Sequence, residues 1–116
     1  MININRNFIV YKISNTINNM VYIGVTSSSL KNRFSVHKSS AKRGCKTKLC
    51  LDINLYGSDK FSIEQIDTIN ASAVMYANNL EFKYIKKYNS IYPNGYNTFG
   101  FADRKKYHKQ PLGTNK

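Results

Sequence analysis

Residues 8–26 have the sequence FIVYKISNTINNMVYIGVT. Two segments rich in β-branched and aromatic side chains, residues 8–14 and 20–26, flank the polar stretch Asn15–Asn19. Such side chains favour β-strands, whereas asparagines favour turns. The stretch therefore predicts a β-hairpin near the start of the chain.

The predicted hairpin has one mainly apolar face and one face that carries tyrosines. If the loop is symmetric, Val10 lies opposite Ile23 and Tyr11 lies opposite Tyr22, because side chains alternate between the faces of a strand. Gly24 falls on the tyrosine face. A glycine within a strand usually marks a bulge or the close approach of another group to the backbone. We therefore expect a gap at Gly24, beside an aromatic and partly polar patch.

A helix that follows the serines at positions 27–29 is predicted to carry two functional side chains. Serine is a favoured N-cap, and helical periodicity extends over Leu30–Ala41. Arg33 and His37 lie on the inward stripe of this helix, at positions that are normally apolar. Gly44 can adopt the left-handed conformation that ends such a helix.

Further elements complete a single mixed domain. The pattern predicts a short helix over residues 48–55, a third strand over residues 61–69 and a long helix over residues 71–88. Glu81 lies at or beside the apolar stripe of the long helix. A chain of 116 residues supports one domain with a modest core. The predicted fold class is α/β, of the α+β type, with a small central antiparallel three-stranded sheet flanked by helices.

The charge of the chain indicates a polyanionic partner. Its formal net charge is +12, and no aspartate or glutamate precedes Asp52. A field of this sign attracts nucleic acid and speeds its capture. A membrane surface is the competing partner, but no segment is apolar enough to span a bilayer and no signal peptide opens the chain. The candidate nucleic-acid contacts in the domain are Lys12, Lys38, Lys42, Arg43, Lys46 and Lys48.

The chain ends in a basic segment. We expect the domain to span residues 1–101 and a basic tail to span residues 102–116. Three basic residues in the tail are further candidate contacts to nucleic acid, namely Arg104, Lys105 and Lys106.

The cysteines and histidines argue against a zinc site held by the protein. Cys45 and Cys50 match neither the CxxC spacing nor a His/Cys zinc pattern, so we expect free thiols, with Cys50 packed and Cys45 exposed. The only histidines are His37 and His108. Any metal must therefore rest on few carboxylates, which suits a hard and mostly hydrated ion such as Mg²⁺.

Three side chains offer groups that phosphodiester hydrolysis requires, and each has a structural alternative. Arg33 can place a planar cation against phosphate, or it can extend to solvent from the helix edge. His37, one turn later, can transfer a proton or bind phosphate, although a helix-edge histidine is more often structural. Glu81 would be buried at a cost in free energy unless a metal ion or a structural ion pair, for example with Arg33, compensates its charge.

Tyrosine and asparagine side chains extend this group. The chain has nine tyrosines, most of which must pack in the core or at its rim. With an ordinary pKa of roughly 10, a tyrosine becomes a base only where cations favour the phenolate, a condition that Tyr11 near Arg33 and a metal would meet. Asn97 follows the turn at Pro93–Gly95 and either orients a phosphate or bonds to the backbone of the turn.

In this order and spacing, the residues resemble the GIY-YIG endonuclease superfamily, and most of all the nuclease domain of phage-type homing endonucleases. Tyr22-Ile23-Gly24 matches the second family motif, and it follows eleven positions after Tyr11, which matches the end of the first. The first motif departs from the pattern, because Ile9-Val10-Tyr11 replaces Gly-Ile-Tyr and adds a side chain on the predicted site face. The later family positions follow in order at Arg33, His37, Arg43-Gly44-Cys45, Glu81 and Gly95-Tyr96-Asn97.

The resemblance implies a divalent-metal-dependent DNA endonuclease that acts on double-stranded DNA, with Mg²⁺ or Mn²⁺ as cofactor. It implies that Glu81 holds one ion, that Arg33 stabilises the scissile phosphate, and that a tyrosine helps to activate water. It also suggests a phage- or virus-encoded protein that acts in a host cell. The absence of an apolar span and of a signal peptide in the sequence predicts a soluble, cytoplasmic protein. The implied catalytic residues are Tyr11, Tyr22, Arg33, His37, Glu81 and Asn97, and Glu81 is also the implied metal ligand.

Two other functions fit the basic surface. One is a catalytically silent nucleic-acid-binding module with the same fold. The other is a basic structural or RNA-binding protein, for which exposed aromatic platforms are expected. Only the nuclease requires Glu81 and Arg33 together beside a metal pocket.

Deletion of residues 103–116 tests the role of the basic tail. The truncated chain should bind DNA more weakly and with a shallower salt dependence, because it neutralises fewer phosphates. Single-turnover cleavage of saturating DNA should change less. Equal slopes of binding affinity against salt for the two chains would contradict this prediction.

Overall fold

A computed structural model of the protein describes residues 6–98. The predicted antiparallel three-stranded sheet flanked by helices is confirmed, with strand order β2-β1-β3. The predicted basic tail, including Arg104, Lys105 and Lys106, lies outside the described residues. In chain order the elements are β1 (Arg6–Asn15), β2 (Val21–Thr26), α1 (Leu30–Lys42), α2 (Lys48–Tyr56), a 3₁₀ turn (Ser58–Lys60), β3 (Phe61–Ala71) and α3 (Val74–Tyr88).

The hairpin forms, but its predicted register is wrong by two residues. Tyr11 pairs with Gly24 rather than with Tyr22. The reason is that Asn15 continues β1, since its backbone N–H donates to the carbonyl of Met20 (2.9 Å). The loop is therefore shorter than predicted. A displacement by two residues keeps every side chain on its predicted face, because the side-chain period of a strand is two.

The sheet is covered on both faces, which gives three layers. On the tyrosine face, Tyr11 and Ile13 pack in one buried cluster with Ala41 of α1 and Leu49 of α2. On the opposite face, Val10 and Ile23 pack against Ile85 of α3. The helices therefore hold the central strand from both sides. Within residues 6–98, no helix combines the length and apolarity needed to cross a bilayer.

The helix ends follow their predicted signals. Ser29 caps α1, and its side chain accepts a hydrogen bond from the backbone of Asn32 (3.0 Å). Gly44 follows α1 with a φ of 94°, in the left-handed region that favours glycine. Thr47 caps α2 in the same way as Ser29, although this cap was not predicted. The loop between α1 and α2 is thus fixed at both of its ends.

A buried polar network joins three parts of the chain that are distant in sequence. The Tyr96 hydroxyl donates to the carboxylate of Asp52 in α2 (2.7 Å) and accepts from the side chain of Asn15 at the end of β1 (2.9 Å). Lys48 forms an ion pair with Asp52 (3.0 Å). Burial raises the pKa of Tyr96 to about 12, so it remains a neutral donor. The network holds the C-terminal segment against the sheet and α2.

The backbone at Gly24 lies directly against the ring of Tyr11. A Cβ atom at this position would lie 2.4 Å from both Cζ and the hydroxyl oxygen of Tyr11, and 2.9 Å from the ring of Tyr22. The predicted close approach at Gly24 is therefore confirmed, and the group that approaches is the Tyr11 side chain. The glycine leaves the space that the end of the Tyr11 side chain occupies beside the neighbouring strand.

Substitution of Gly24 by alanine should displace Tyr11. Because Tyr11 is fully buried, the displacement should lower the free energy of unfolding by about 1–3 kcal/mol, the usual range for overpacking. Gly44→Ala is a suitable control, since its Cβ would meet nothing within 4 Å and would add only backbone strain. Urea denaturation measures both changes. A Gly24→Ala variant as stable as the wild type would contradict the packing described here.

Candidate active site

The Tyr11 hydroxyl joins the arginine and the histidine that the sequence singled out. Arg33 Nε donates a hydrogen bond to the Tyr11 oxygen (3.1 Å). The same oxygen lies 2.9 Å from Nε2 of His37. Both partners come from the inward stripe of α1, one turn apart, and meet a strand residue that has no exposed surface. Three of the predicted residues are thus brought into direct contact.

Electrostatics sets the direction of these hydrogen bonds. Burial, and then the positive charge of Arg33, lower the pKa of His37 to about 4. The imidazole is therefore neutral near neutral pH, and its Nε2 can accept the hydroxyl proton of Tyr11. The arrangement is a chain from the guanidinium through the phenol to the imidazole.

Tyr11 itself is held in the protonated form. Burial raises the pKa of Tyr11 above its ordinary value, and this effect outweighs the hydrogen bond and the charge of Arg33, which lower it. The negative charge of Glu81 raises it further, so this carboxylate acts on the tyrosine electrostatically. The expected phenolate at Tyr11 would need a cation in addition to Arg33.

Tyr22 lies between this buried group and open space. Its ring centroid is 6.2 Å from that of Tyr11 and 5.3 Å from that of His37. One cavity of about 290 Å³, here called the tyrosine cavity, is lined by Tyr22, Arg33, His37 and Asn97. Tyr22 is only partly buried, in contrast to Tyr11. A ligand in the cavity would therefore meet the Tyr22 side chain rather than that of Tyr11.

Glu81 is buried on α3, as predicted, with 6% of its surface exposed. Within residues 6–98 there is no group of three histidine, cysteine, aspartate or glutamate side chains that could surround a metal ion. A single buried carboxylate offers hard oxygen ligands, which fit an ion that keeps most of its water, such as Mg²⁺. Zinc, which requires three or four protein ligands, does not fit these residues.

Asn97 is held by the edge of β2. Its Oδ1 accepts from the backbone N–H of Ile23 (2.9 Å) and from the Ser90 hydroxyl (2.7 Å). Its Nδ2 donates to the carbonyl of Ile23 (2.9 Å). Of the two alternatives left open by the sequence, backbone bonding is the one seen, although the partner is a strand rather than the turn. Asn97 also lines the cavity with Tyr22 and His37.

The predicted basic contacts fall into separate groups. Arg43 contacts a residue that lines the tyrosine cavity, because its Nη2 donates to the hydroxyl of Ser40 (3.5 Å). Lys38 and Lys42 line another groove, of about 420 Å³, on the other side of α1. Lys12 lies on the α3 face of the sheet, where it pairs with Glu64 (3.3 Å) and covers the ring of Tyr88.

The remaining two predicted lysines flank the cap of α2. Lys46 is exposed, and Lys48 forms an ion pair with Asp52.

The prediction of free thiols is confirmed for both cysteines, with Cys50 buried and Cys45 half-buried rather than exposed. Both cysteines line the same cavity as Tyr22 and His37.

A family model described as the GIY-YIG catalytic domain matches residues 7–97. The chain belongs to this family. It is a nuclease domain of the GIY-YIG type, and the resemblance inferred from its motifs is confirmed.

Solved structures of the same family have the same fold. The catalytic domain of the homing endonuclease I-TevI is 28% identical, with a TM-score of 0.65 over 83% of this chain and 99% of that domain. A glutamate-to-alanine variant of the I-TevI catalytic domain, an intron endonuclease, gives a TM-score of 0.69 at 28% identity, over 80% of this chain and 94% of the variant.

Two viral proteins are similar in sequence. Uncharacterized protein 019R of Invertebrate iridescent virus 6 is 35% identical over 82 residues, which are 71% of this chain and 29% of the relative. The MSV199 domain-containing protein 146R of the same virus is 32% identical over 82 residues, or 71% of this chain and 34% of the relative. The matched segment thus spans about a third of each relative.

The sequence patterns did not single out two residues near the GIY-YIG site, Asp52 and Arg6. Asp52 is buried beneath the cavity lining. The spacing of four residues between Lys48 and Asp52 on a helix could have predicted their ion pair. Arg6 lines a second cavity together with Arg33. Its position at the first residue of β1 gave no pattern that distinguishes it from other basic residues.

The low pKa of His37 predicts that stability falls at acidic pH. The unfolded chain protonates His37 near its ordinary pKa of 6.5, whereas the folded protein does so only near 4. Between these values the unfolded state binds the additional proton, so the free energy of unfolding should decrease as the pH falls. The whole decrease should be on the order of 3 kcal/mol.

Urea denaturation at a series of pH values, for the wild type and for His37→Gln, measures this effect. The variant lacks the titrating group, so its stability should vary less across the same window. The same pH dependence in both proteins would show that His37 does not carry it.

Proposed function

We propose that this GIY-YIG domain is a divalent-metal-dependent DNA endonuclease that hydrolyses phosphodiester bonds in the manner of homing endonucleases. The observation that carries the proposal is the contact of Arg33 and His37 with the Tyr11 hydroxyl, in a domain that also buries Glu81. Arg33 and His37 bring a cation and a neutral imidazole to one cavity, and the carboxylate of Glu81 acts electrostatically on the Tyr11 hydroxyl that joins them. The chemistry of phosphodiester hydrolysis requires the same three kinds of group.

Arg33 binds the scissile phosphate in this proposal. Its Nε is held by the Tyr11 hydroxyl, which fixes the plane of the guanidinium before a substrate arrives. The terminal nitrogens can then donate to phosphate oxygens in the paired geometry that arginine allows. A fixed donor needs no reorganisation as negative charge develops on the phosphate.

Tyr22 is the tyrosine that meets the attacking water. It lines the cavity, whereas Tyr11 is fully buried and bonded to Arg33 and His37. Tyr11 therefore acts as the positioning residue. Its hydroxyl proton is held in a hydrogen bond to Nε2 of the neutral His37 imidazole, which keeps the oxygen oriented toward Arg33. Asn97 holds the backbone of Ile23, the residue that follows Tyr22, and so fixes the start of the motif.

Glu81 is the residue that would hold the divalent ion, Mg²⁺ or Mn²⁺. When bound, such an ion neutralises charge on the phosphate and lowers the pKa of a coordinated water. The position of Glu81 supports this role, because its negative charge acts on the Tyr11 hydroxyl, which contacts Arg33 and His37. Since other oxygen ligands of the protein are few, the affinity for the ion should depend on the bound substrate.

Double-stranded DNA is the proposed substrate form. The net charge of +12 supports a polyanionic partner, and both solved structures that resemble the chain are endonuclease catalytic domains. Arg43, which contacts the cavity-lining residue Ser40, is the predicted basic residue that we assign to the cleaved strand. An intracellular site of action is part of the same proposal, and the viral origin of the two sequence relatives supports it.

The first test measures conversion of supercoiled plasmid to nicked and linear DNA, with Mg²⁺ and with EDTA. Glu81→Gln should slow cleavage by at least about a hundredfold, because it removes the charge that holds the ion. Glu64→Gln is the matched control, since it makes the same change at a solvated position on β3, and it should cleave at the wild-type rate.

The affinity of the same proteins for plasmid in EDTA separates catalysis from binding. Glu81→Gln should bind DNA at least as tightly as the wild type, because a negative charge is lost near the phosphate. A folded Glu81→Gln variant that cleaves normally would refute the proposal. Absence of cleavage by the wild type, with binding retained, would instead support the catalytically silent binding module.

A further inference from the structure

A second cavity of about 350 Å³ shares Arg33 with the tyrosine cavity. It lies between the first residue of β1, the end of β2 and the first turns of α3. Its polar lining consists of Arg6, Thr26, Ser27, Arg33 and Asn78, and the apolar part of the lining consists of Phe8, Val25 and Val74.

The lining is suited to an anion. It contains two guanidinium groups, two hydroxyls and an amide, and none of the described residues that line it is acidic. Thr26 Oγ1 accepts from the backbone N–H of Ser28 (3.0 Å), so its own proton can be donated to a ligand. Two arginines beside one space repel each other, and an anion between them removes this repulsion. Phosphate is the anion that arginine binds with paired hydrogen bonds.

The cavity adjoins the groups assigned to cleavage. Arg33 lines both cavities, and its Nε is fixed by Tyr11. Asn78 lies three residues before Glu81 on α3, so the two side chains share one side of the helix. A strand with its scissile phosphate at Arg33 and Glu81 would therefore bring a neighbouring phosphate into this cavity.

We propose that the second cavity binds the phosphate next to the scissile phosphate in the cleaved strand, with Arg6 as its principal cation. The proposal rests on the proposed nuclease function and adds to it the path of the substrate backbone. Thr26 and Asn78 donate further hydrogen bonds to the same phosphate. Arg6 thus sets the register of the strand relative to Arg33 without contact with the reacting atoms.

Lys60→Ala is the matched control for Arg6→Ala. Each substitution removes one positive charge from an exposed side chain. Arg6 begins β1, whereas the carbonyl of Lys60 accepts from Thr16, which follows the last residue of β1 (2.9 Å). The two sites are therefore separated by the whole length of the strand, about 30 Å for ten residues. A general loss of charge would affect both variants equally.

The experiment measures binding of a fluorescent DNA duplex by anisotropy in EDTA over a range of salt concentrations. Arg6→Ala should raise the Kd roughly tenfold and lower the salt slope by about one phosphate contact, whereas Lys60→Ala should leave the slope unchanged. Arg6→Lys should restore the slope but not the full affinity, because lysine lacks the paired donors of arginine. Asn78→Ala, a second variant of the same cavity, should weaken binding severalfold without a change in slope.

Cleavage and stability measurements distinguish this role from a structural one. At saturating DNA, the single-turnover rate of Arg6→Ala should fall by a smaller factor than its affinity does, because Arg6 positions the strand but its contact lies away from the scissile bond. Its melting temperature should match that of Lys60→Ala, because Arg6 is exposed. Inorganic phosphate should compete with the duplex only weakly if the DNA backbone is the ligand, and strongly if the cavity is a site for free phosphate.

The outcomes separate this proposal from the nuclease proposal. Equal affinities and slopes for Arg6→Ala and Lys60→Ala would overturn the phosphate site even if the wild type cleaves DNA. Strong competition by inorganic phosphate would also overturn it. A selective loss of binding in Arg6→Ala would support the site even if no protein in the series cleaves DNA.

Discussion

The candidate active site depends on one buried hydroxyl group. The Tyr11 oxygen accepts from Arg33 and lies within hydrogen-bonding distance of His37, so it determines where both α1 side chains are held. Burial of a phenol is tolerated only when its polar atom is bonded, and here both partners are functional residues. The ring reaches this position because Gly24 has no side chain. A single glycine in β2 thus permits the contact from which the cation and the proton acceptor take their orientation.

The three-layer arrangement explains why the site combines residues so distant in sequence. α1 covers the face of the sheet that carries Tyr11, whereas α3, with Glu81, covers the other face. β2 is an outer strand of the sheet, so groups from both layers can meet around its edge. Arg33 of α1 lines both cavities, and Asn78 of α3 lines one of them. Changes at Arg33 should therefore alter substrate binding and chemistry together, and the two effects will not separate in kinetic measurements.

The sequence predicted those parts of the fold that depend on local chemistry. The caps at Ser29 and Gly44, the strand periods and the buried position of Glu81 all follow from residue type and spacing, and the structure confirms them. The hairpin register was wrong, because it depended on whether Asn15 extends the strand or begins the turn. Asparagine suits either position, and the outcome is set by its backbone bond to Met20 and its side-chain bond to Tyr96. Such contacts over long sequence separation leave no local pattern.

Prediction of the basic contacts had a similar limit. Lys12 and Lys48 are bound to acidic partners, and Lys38 and Lys42 face a different groove from His37. Composition gives the sign of the field but not which charges face the same direction. The acidic partners could have been found only through pairs close in sequence, as for Lys48 and Asp52, because the Lys12–Glu64 pair needs the alignment of β1 with β3.

The attachment of Asn97 to β2 also leaves fewer free backbone groups on this outer strand. An outer strand normally presents free N–H and C=O groups, onto which a strand from another molecule can add. At Ile23 both of these groups are occupied by the Asn97 amide, and at Val21 the carbonyl accepts from the backbone of Tyr96 (2.9 Å). The segment after α3 therefore covers this part of the edge of the sheet, in the same place where it fixes the tyrosine motif.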